Sequence, residues 1–176
     1  RRTEIYANAG SGFHSNNALG TTLTRDALGL PAERVTPLVR ATGIEAGVRT
    51  IVVPRLQTTV SLWRLGLDSE LVYNGDLGAT EPGPASRRWV VEIANYYRPV
   101  SWLVLDADVS LSEARFASGE SAGLRVPEAV GTVVSAGIGV EGVHGTFAGV
   151  RLRYFGARSL VEDDLGRATA LEVARW

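Results

Sequence analysis

The sequence predicts an all-β chain of about eight antiparallel, up-and-down strands of the transmembrane β-barrel kind, and three observations carry that expectation. Apolar and polar residues alternate with period two along most of the chain, which places them on opposite faces of strands. Short and long connections between the alternating segments follow one another strictly. Aromatic residues recur near the ends of the apolar parities, at the height where a bilayer meets water. The strands are expected either as an open arc of a larger barrel or as a small closed barrel of about eight.

Taken in order, the predicted strands are Thr3 to Phe13, Val39 to Val52, Thr58 to Asn74, Arg88 to Arg98, Trp102 to Phe116, Val130 to Val140, Gly145 to Phe155 and Thr169 to Trp176. Most are close to the roughly 9 to 11 residues with which a tilted strand crosses a bilayer. The second, fourth and sixth connections are tight, whereas the first, third, fifth and seventh are long and rich in Gly, Pro, Ser and Asp. Tight periplasmic turns alternating with long extracellular loops would put both termini on the periplasmic side. Helical pattern is confined to a short turn over Arg25 to Glu33.

The stretch Val60 to Asp76 is expected to run as one long strand, with Trp63, Leu65, Leu67, Leu71 and Tyr73 on an apolar face and Arg64, Asp68, Glu70 and Asn74 on the other. Trp63 and Tyr73 would then span roughly 25 Å along a barrel axis, at about 3.3 Å per residue and a tilt of about 40°, which is the height of an apolar membrane band. Trp89 and Tyr97 are expected to join them in an aromatic girdle, while Trp102 falls on the wrong parity and suits a turn. Collected over all strands, the second face carries Glu45, Arg49, Arg64, Asp68, Glu70, Glu92, Asp106, Asp108, Arg151 and Arg153. So many charges do not fit a dry core without partners, so this face is expected to line a wet lumen.

Composition excludes several classes. The formal net charge is -1, which gives no field for nucleic acid, and cysteine is absent, which rules out disulfides and thiolate metal sites. No run of about 18 apolar residues suggests a membrane helix, and no basic segment followed by an apolar one opens the chain as a secretory signal would. The chain starts at Arg1 and lacks Met, which suggests a piece of a longer reading frame or a processed product.

Asp106 with Asp108, and Asp68 with Glu70, are carboxylate pairs of the type that do acid–base chemistry or hold Ca²⁺, but lumen ladders with Arg49, Arg64, Arg151 and Arg153 explain them more simply. His14 and His144 lack a supporting cluster, and Gly10 and Gly12 are not followed by the Lys of a phosphate loop. Hence no catalytic residue, cofactor or metal is expected.

Residues Glu4 to Asn17, EIYANAGSGFHSNN, resemble the strand and loop start of TonB-dependent outer-membrane receptors, commonly ElYaNaGrGFHSND. Leu62 to Arg88, LWRLGLDSELVYNGDLGATEPGPASRR, resembles their LW-LDLDSELvfvGDaGtTEpsraSRR segment, and Glu92 to Pro99, EIANYYRP, a strand that follows it. Asp106 to Phe116, Arg125 to Ala129 and Leu152 to Asp163 continue the match in order. The resemblance implies that residues 1–176 are part of a receptor barrel of about 22 strands, in the outer membrane of a Gram-negative bacterium. It also implies lipid around the barrel, a plug domain inside it, the TonB complex acting through that plug, and a scarce ligand captured by extracellular loops. The ligand class would be siderophore, cobalamin, metal chelate or oligosaccharide. Plug and terminal strands are not in the sequence, so the segment is read as an internal barrel fragment. Ser11 and Asn17 stand where the family usually has Arg and Asp, and Glu172 and Ala174 interrupt the alternation before Trp176. The alternative is a soluble or small outer-membrane β-barrel that binds an apolar small molecule in a dry interior.

Overall fold

The computed structural model describes residues 2–16, 18–22, 24–25, 29, 31, 34–74, 79–120, 123–143, 145–159 and 167–175. In chain order its strands are β1 (Thr3–Ser15), β2 (Leu38–Thr50), β3 (Leu56–Leu67), β4 (Glu70–Asn74), β5 (Ala79–Gly83), β6 (Ser86–Val100), β7 (Leu103–Phe116), β8 (Thr132–Val143), β9 (Thr146–Ser159) and β10 (Arg167–Arg175). Eight of them form one antiparallel sheet in the order β1-β2-β3-β6-β7-β8-β9-β10, and β4 pairs only with β5. Each sheet strand therefore lies beside its predecessor, the up-and-down arrangement that the alternating connections predict. Among the described residues no ladder joins β1 to β10, so the sheet is an open arc. The single helix among the described residues, α1 (Ala18–Thr22), lies in the first long connection, ahead of the Arg25 to Glu33 turn that the sequence suggests. There, an isolated bridge joins Arg25 to Pro31, and 26–28, 30, 32 and 33 lie outside the described residues.

The long strand expected from Thr58 to Asn74 is interrupted. Asp68 donates its backbone N–H to the Arg40 carbonyl at 3.1 Å, the last bond of the β2–β3 ladder. Ser69 Oγ then donates to the Gly83 carbonyl at 2.8 Å, and the Glu70 N–H to the Pro84 carbonyl at 3.1 Å, which starts the separate β4–β5 hairpin. Asp and Ser side chains offer the backbone local hydrogen bonds that compete with a ladder, and two together form the bend.

Directly opposed residues of an antiparallel ladder share a face, so the register sorts the side chains. One row runs Ala46–Leu62–Val91–Leu111 across β2, β3, β6 and β7, and another runs Val134–Tyr154–Leu171 across β8, β9 and β10. This apolar face is open: Ile44 is 51% exposed, Leu62 47%, Leu111 50% and Leu152 46%. The opposite face is more enclosed, with Ser61, Val90, Val104 and Ser135 buried. Among the described residues the only cluster of buried apolar side chains is Ala114, Phe116 and Val126, packed with Val72 and Ala129 where the β4–β5 hairpin meets the β7–β8 connection. A dry-interior barrel needs its Leu-rich parity inside; here that parity is the exposed one.

Candidate functional site

The site suggested by the sequence is the charged face, and the register shows how its members meet. Asp106 of β7, Gly137 of β8 and Arg151 of β9 stand directly abreast. The Asp106 carboxylate reaches across Gly137 to the Arg151 guanidinium, with Oδ1 to Nη2 at 2.8 Å. A Cβ at position 137 would lie 2.6 Å from Asp106 Oδ1, so only glycine leaves room for the carboxylate. The neighbouring row is Asp108–Ser135–Arg153, and Arg153 pairs with Glu172 of β10 at 3.3 Å. Asp106 Oδ2 and Ser135 Oγ are buried without a hydrogen-bond partner in the structure.

Towards β1 the same face carries Glu45, which accepts from Asn8 Nδ2 at 3.2 Å, and Arg49, 3.7 Å from Glu4. Glu92 accepts a long bond from Ser110 Oγ. Glu70, at the start of β4, accepts from Ser86 Oγ and lies 3.9 Å from Arg88. The face thus carries several cross-strand polar pairs. Arg88, Glu4 and Glu172 are partners that the sequence reading missed. Arg88 was available from parity, since it alternates in step with Glu92; the other two needed the register.

Two of the ten charges fall elsewhere. Arg64 lies opposite Ile44 and Trp89 on the apolar face, its guanidinium carbon 5.7 Å from the Trp89 ring centroid. Asp68 sits on the bend after β3, outside the sheet. The parity in this stretch is inverted relative to expectation because Val60, Leu62, Trp63, Leu65 and Leu67 are apolar on both parities, so that pairing with Ala46 and Val91 decides the orientation. Trp63 consequently stands opposite Glu45 on the charged face. Tyr73 belongs to the hairpin, where its backbone pairs with Thr80, and its side chain is outside the described residues. Trp89 and Tyr97, by contrast, both stand on the apolar face, towards opposite ends of β6. They are eight positions apart, which corresponds to roughly 20 Å along a tilted axis. Trp102 occupies the β6–β7 turn. His144 and Trp176 lie outside the described residues.

At the tight-turn end, the charged face is hollowed into an open depression of about 630 Å³ bordered by Gln57, Tyr96, Asp106, Asp108, Glu141 and Arg151. Its lining mixes both signs of charge with hydroxyl and amide groups, and no group of three or more His, Asp or Glu suited to a metal occurs among the described residues. Such a surface can hold polar polypeptide or water.

No protein-family model and no curated protein matches the sequence. Solved structures do. The chain is similar to the copper transporter OprC (15% identity, TM-score 0.66, 98% of this chain and 28% of that one). It is similar to BauA, the ferric preacinetobactin receptor from Acinetobacter baumannii (12%, 0.63, 98% and 26%). It is also similar to the FrpB iron transporter from Neisseria meningitidis (17%, 0.56, 89% and 25%). The fold is that of one stretch of such transporter barrels. The chain spans about a quarter of their length.

Proposed function

We propose that residues 1–176 are part of the β-barrel of a TonB-dependent outer-membrane receptor, which binds a scarce ligand at its long-connection end and moves it inward without making or breaking a bond. The observation that carries this reading is the exposed apolar face between Trp89 and Tyr97, on a sheet whose two edge strands, β1 and β10, have no outer partner among the described residues. Lipid accepts that face, and further strands of the same barrel would pair the edges, which neither water nor hydrocarbon tolerates bare. The charges on the other face then look into a lumen, where Asp106, Asp108, Glu45, Glu92, Arg49, Arg151 and Arg153 would meet a plug domain or water. The long connections would meet the ligand, and energy would arrive through the plug from the TonB complex in the inner membrane. Colinear resemblance over the chain and the likeness to transporter barrels both support it.

A metal complex is the favoured ligand class, since the similar structures are named for copper, a ferric siderophore and iron. Cells carrying and lacking the gene, in TonB-competent and TonB-deficient backgrounds, are compared for uptake of radiolabelled ferric siderophores and of copper. Uptake that needs both the gene and TonB is the expected result. Recovery of the protein as a monodisperse soluble monomer without detergent would end the membrane reading altogether.

A further inference from the structure

The tight-turn end of the charged face holds more acceptors than donors. Two of its rows lie side by side, Gln57–Tyr96–Asp106–Gly137–Arg151 and Thr59–Ala94–Asp108–Ser135–Arg153–Glu172. Arg151 is held by Asp106 Oδ1 at 2.8 Å and Arg153 by Glu172 at 3.3 Å, and the Asp108 carboxylate forms no ion pair with a described cation. Glu141, on the same face, is committed to Arg98 at 3.1 Å. The three carboxylates that border the depression, Asp106, Asp108 and Glu141, therefore meet two arginines, and one negative charge is left over. Asp106 Oδ2 and Ser135 Oγ are buried without a hydrogen-bond partner, and Ser135 as a whole is only 7% exposed. Buried acceptors are costly to leave unfilled, so two of them beside an unpaired carboxylate call for a donor that the described residues do not supply. The same depression carries a side chain out of place on a wet wall: Phe147 is 75% exposed there, opposite Glu141, with Tyr96 also on its border.

We propose that this depression binds a primary ammonium on an alkyl stem, the side chain of a lysine in a polypeptide lying against the wall. An ammonium carries three donors around one point charge. The open acceptors sit on three residues, Asp106, Asp108 and Ser135, whose Cα atoms lie within about 8 Å of one another. A guanidinium aims its donors in one plane, and fills acceptors spread over two strands and two rows less well. Ser135 needs only a turn about χ1 to present its hydroxyl to the incoming head. The methylene stem then lies along Phe147 and Tyr96, as lysine stems lie on apolar surface while the head stays in polar surroundings. One uncompensated charge suits one ammonium, which disfavours a polyammonium solute. The sequence contains 18 arginines and no lysine, so the ammonium comes from outside residues 1–176. That the polypeptide lies in a lumen rests on the barrel reading above; the ammonium chemistry rests on the wall alone.

The test titrates the full chain in neutral detergent micelles with Nα-acetyllysine methylamide and follows the backbone amide chemical shifts around Ser135. Its controls are the Nε-trimethyl derivative, which keeps the charge without the donors, the arginine analogue, and putrescine. The lysine derivative should bind at least roughly tenfold more tightly than its trimethyl form, and more tightly than the arginine analogue. Asp108→Asn should weaken its binding by roughly tenfold and Ser135→Ala by roughly threefold, while strand content by circular dichroism stays unchanged. Phe147→Ala, at a position too exposed to carry the fold, should weaken it by roughly threefold and covers the case in which Asp108→Asn does not fold. No binding of the lysine derivative, equal binding of its trimethyl form or of the arginine analogue, or undiminished binding by a folded Asp108→Asn or Phe147→Ala variant overturns the proposal. Putrescine that binds more tightly than its two equivalent ends account for overturns the lysine source in favour of a polyamine solute. A chain that stays monodisperse without any detergent overturns the membrane reading instead, and the same titration in plain buffer then decides the ammonium site.

Discussion

The two faces of the sheet solve opposite problems with the same strands. Around β7, the inward-turned parity sets Asp106 against Arg151 across Gly137, with Ser110 and Asp108 alongside, whereas the outward parity sets Leu111 against Val91 and Thr132 and leaves it half exposed. In a water-soluble sandwich the exposed face would be the charged one and the enclosed face apolar. Here the charges are the more enclosed: the Asp106 side chain is 16% exposed, against 50% for Leu111. On the barrel reading proposed above, the surroundings as well as the sheet would divide into wet and dry, with the dry phase outside.

Reversing one residue on each face is the strongest way to break this comparison. Val91, midway along β6 on the apolar face, should tolerate no charge. Val91→Arg is expected to destabilise insertion by about 2 to 4 kcal/mol, as arginine does at a bilayer midplane. Ala94→Arg, on the charged face opposite Asp108, should change it by less than about 1 kcal/mol. The measurement is reversible folding of the full chain into lipid vesicles, titrated with denaturant. Equal effects at the two positions would mean that both faces see the same solvent.

A smaller effect separates two glycines of β8. Gly137 lies under the Asp106 carboxylate, whereas a Cβ at Gly139 would meet nothing closer than 3.9 Å. Gly137→Ala should cost about 1 to 3 kcal/mol through the overpacked contact. Gly139→Ala should be neutral or stabilise by up to about 1 kcal/mol, because it restricts the unfolded chain. The same denaturant titration reads both, and a harmless Gly137→Ala would show that Arg151 does not depend on that close approach.

How much of this was legible beforehand depended on whether one parity or two carried apolar residues. In β7, Leu103, Leu105, Ala107, Val109 and Leu111 alternate with Asp106, Asp108 and Ser110, so sequence alone orients the strand. In β3, both parities are apolar, and only the partners Ala46 and Val91 reveal that Leu62 faces out and Trp63 in. The break at Asp68 and Ser69 did leave a signal, two adjacent bend-forming residues, but the apolar spacing from Trp63 to Tyr73 runs through it and hides it. Ion pairs such as Glu4–Arg49 join strands across a 22-residue connection, residues 16–37, whose length sets no register, so no spacing in the sequence announces them. The tight and long connections were legible because turn chemistry is local.

The finest distinction lies within the charged face, between its middle and its edge. Asp106 and Arg151 are 16% and 31% exposed at the side chain, whereas Glu4 and Arg49, on the β1 edge, are 63% and 52% exposed. Exposure weakens a pair twice over, because water screens the charges and the long side chains regain freedom. Double-mutant cycles with Asp106→Asn and Arg151→Gln should therefore give a coupling of about 1 kcal/mol that survives half-molar salt, and cycles with Glu4→Gln and Arg49→Gln one below about 0.5 kcal/mol that salt abolishes. If neighbouring strands of a complete barrel cover β1, the edge pair becomes as enclosed as the middle one and its coupling rises towards the same value. The size of the Glu4–Arg49 term in the full chain thus reports directly on whether the open edge of this arc is closed by more barrel.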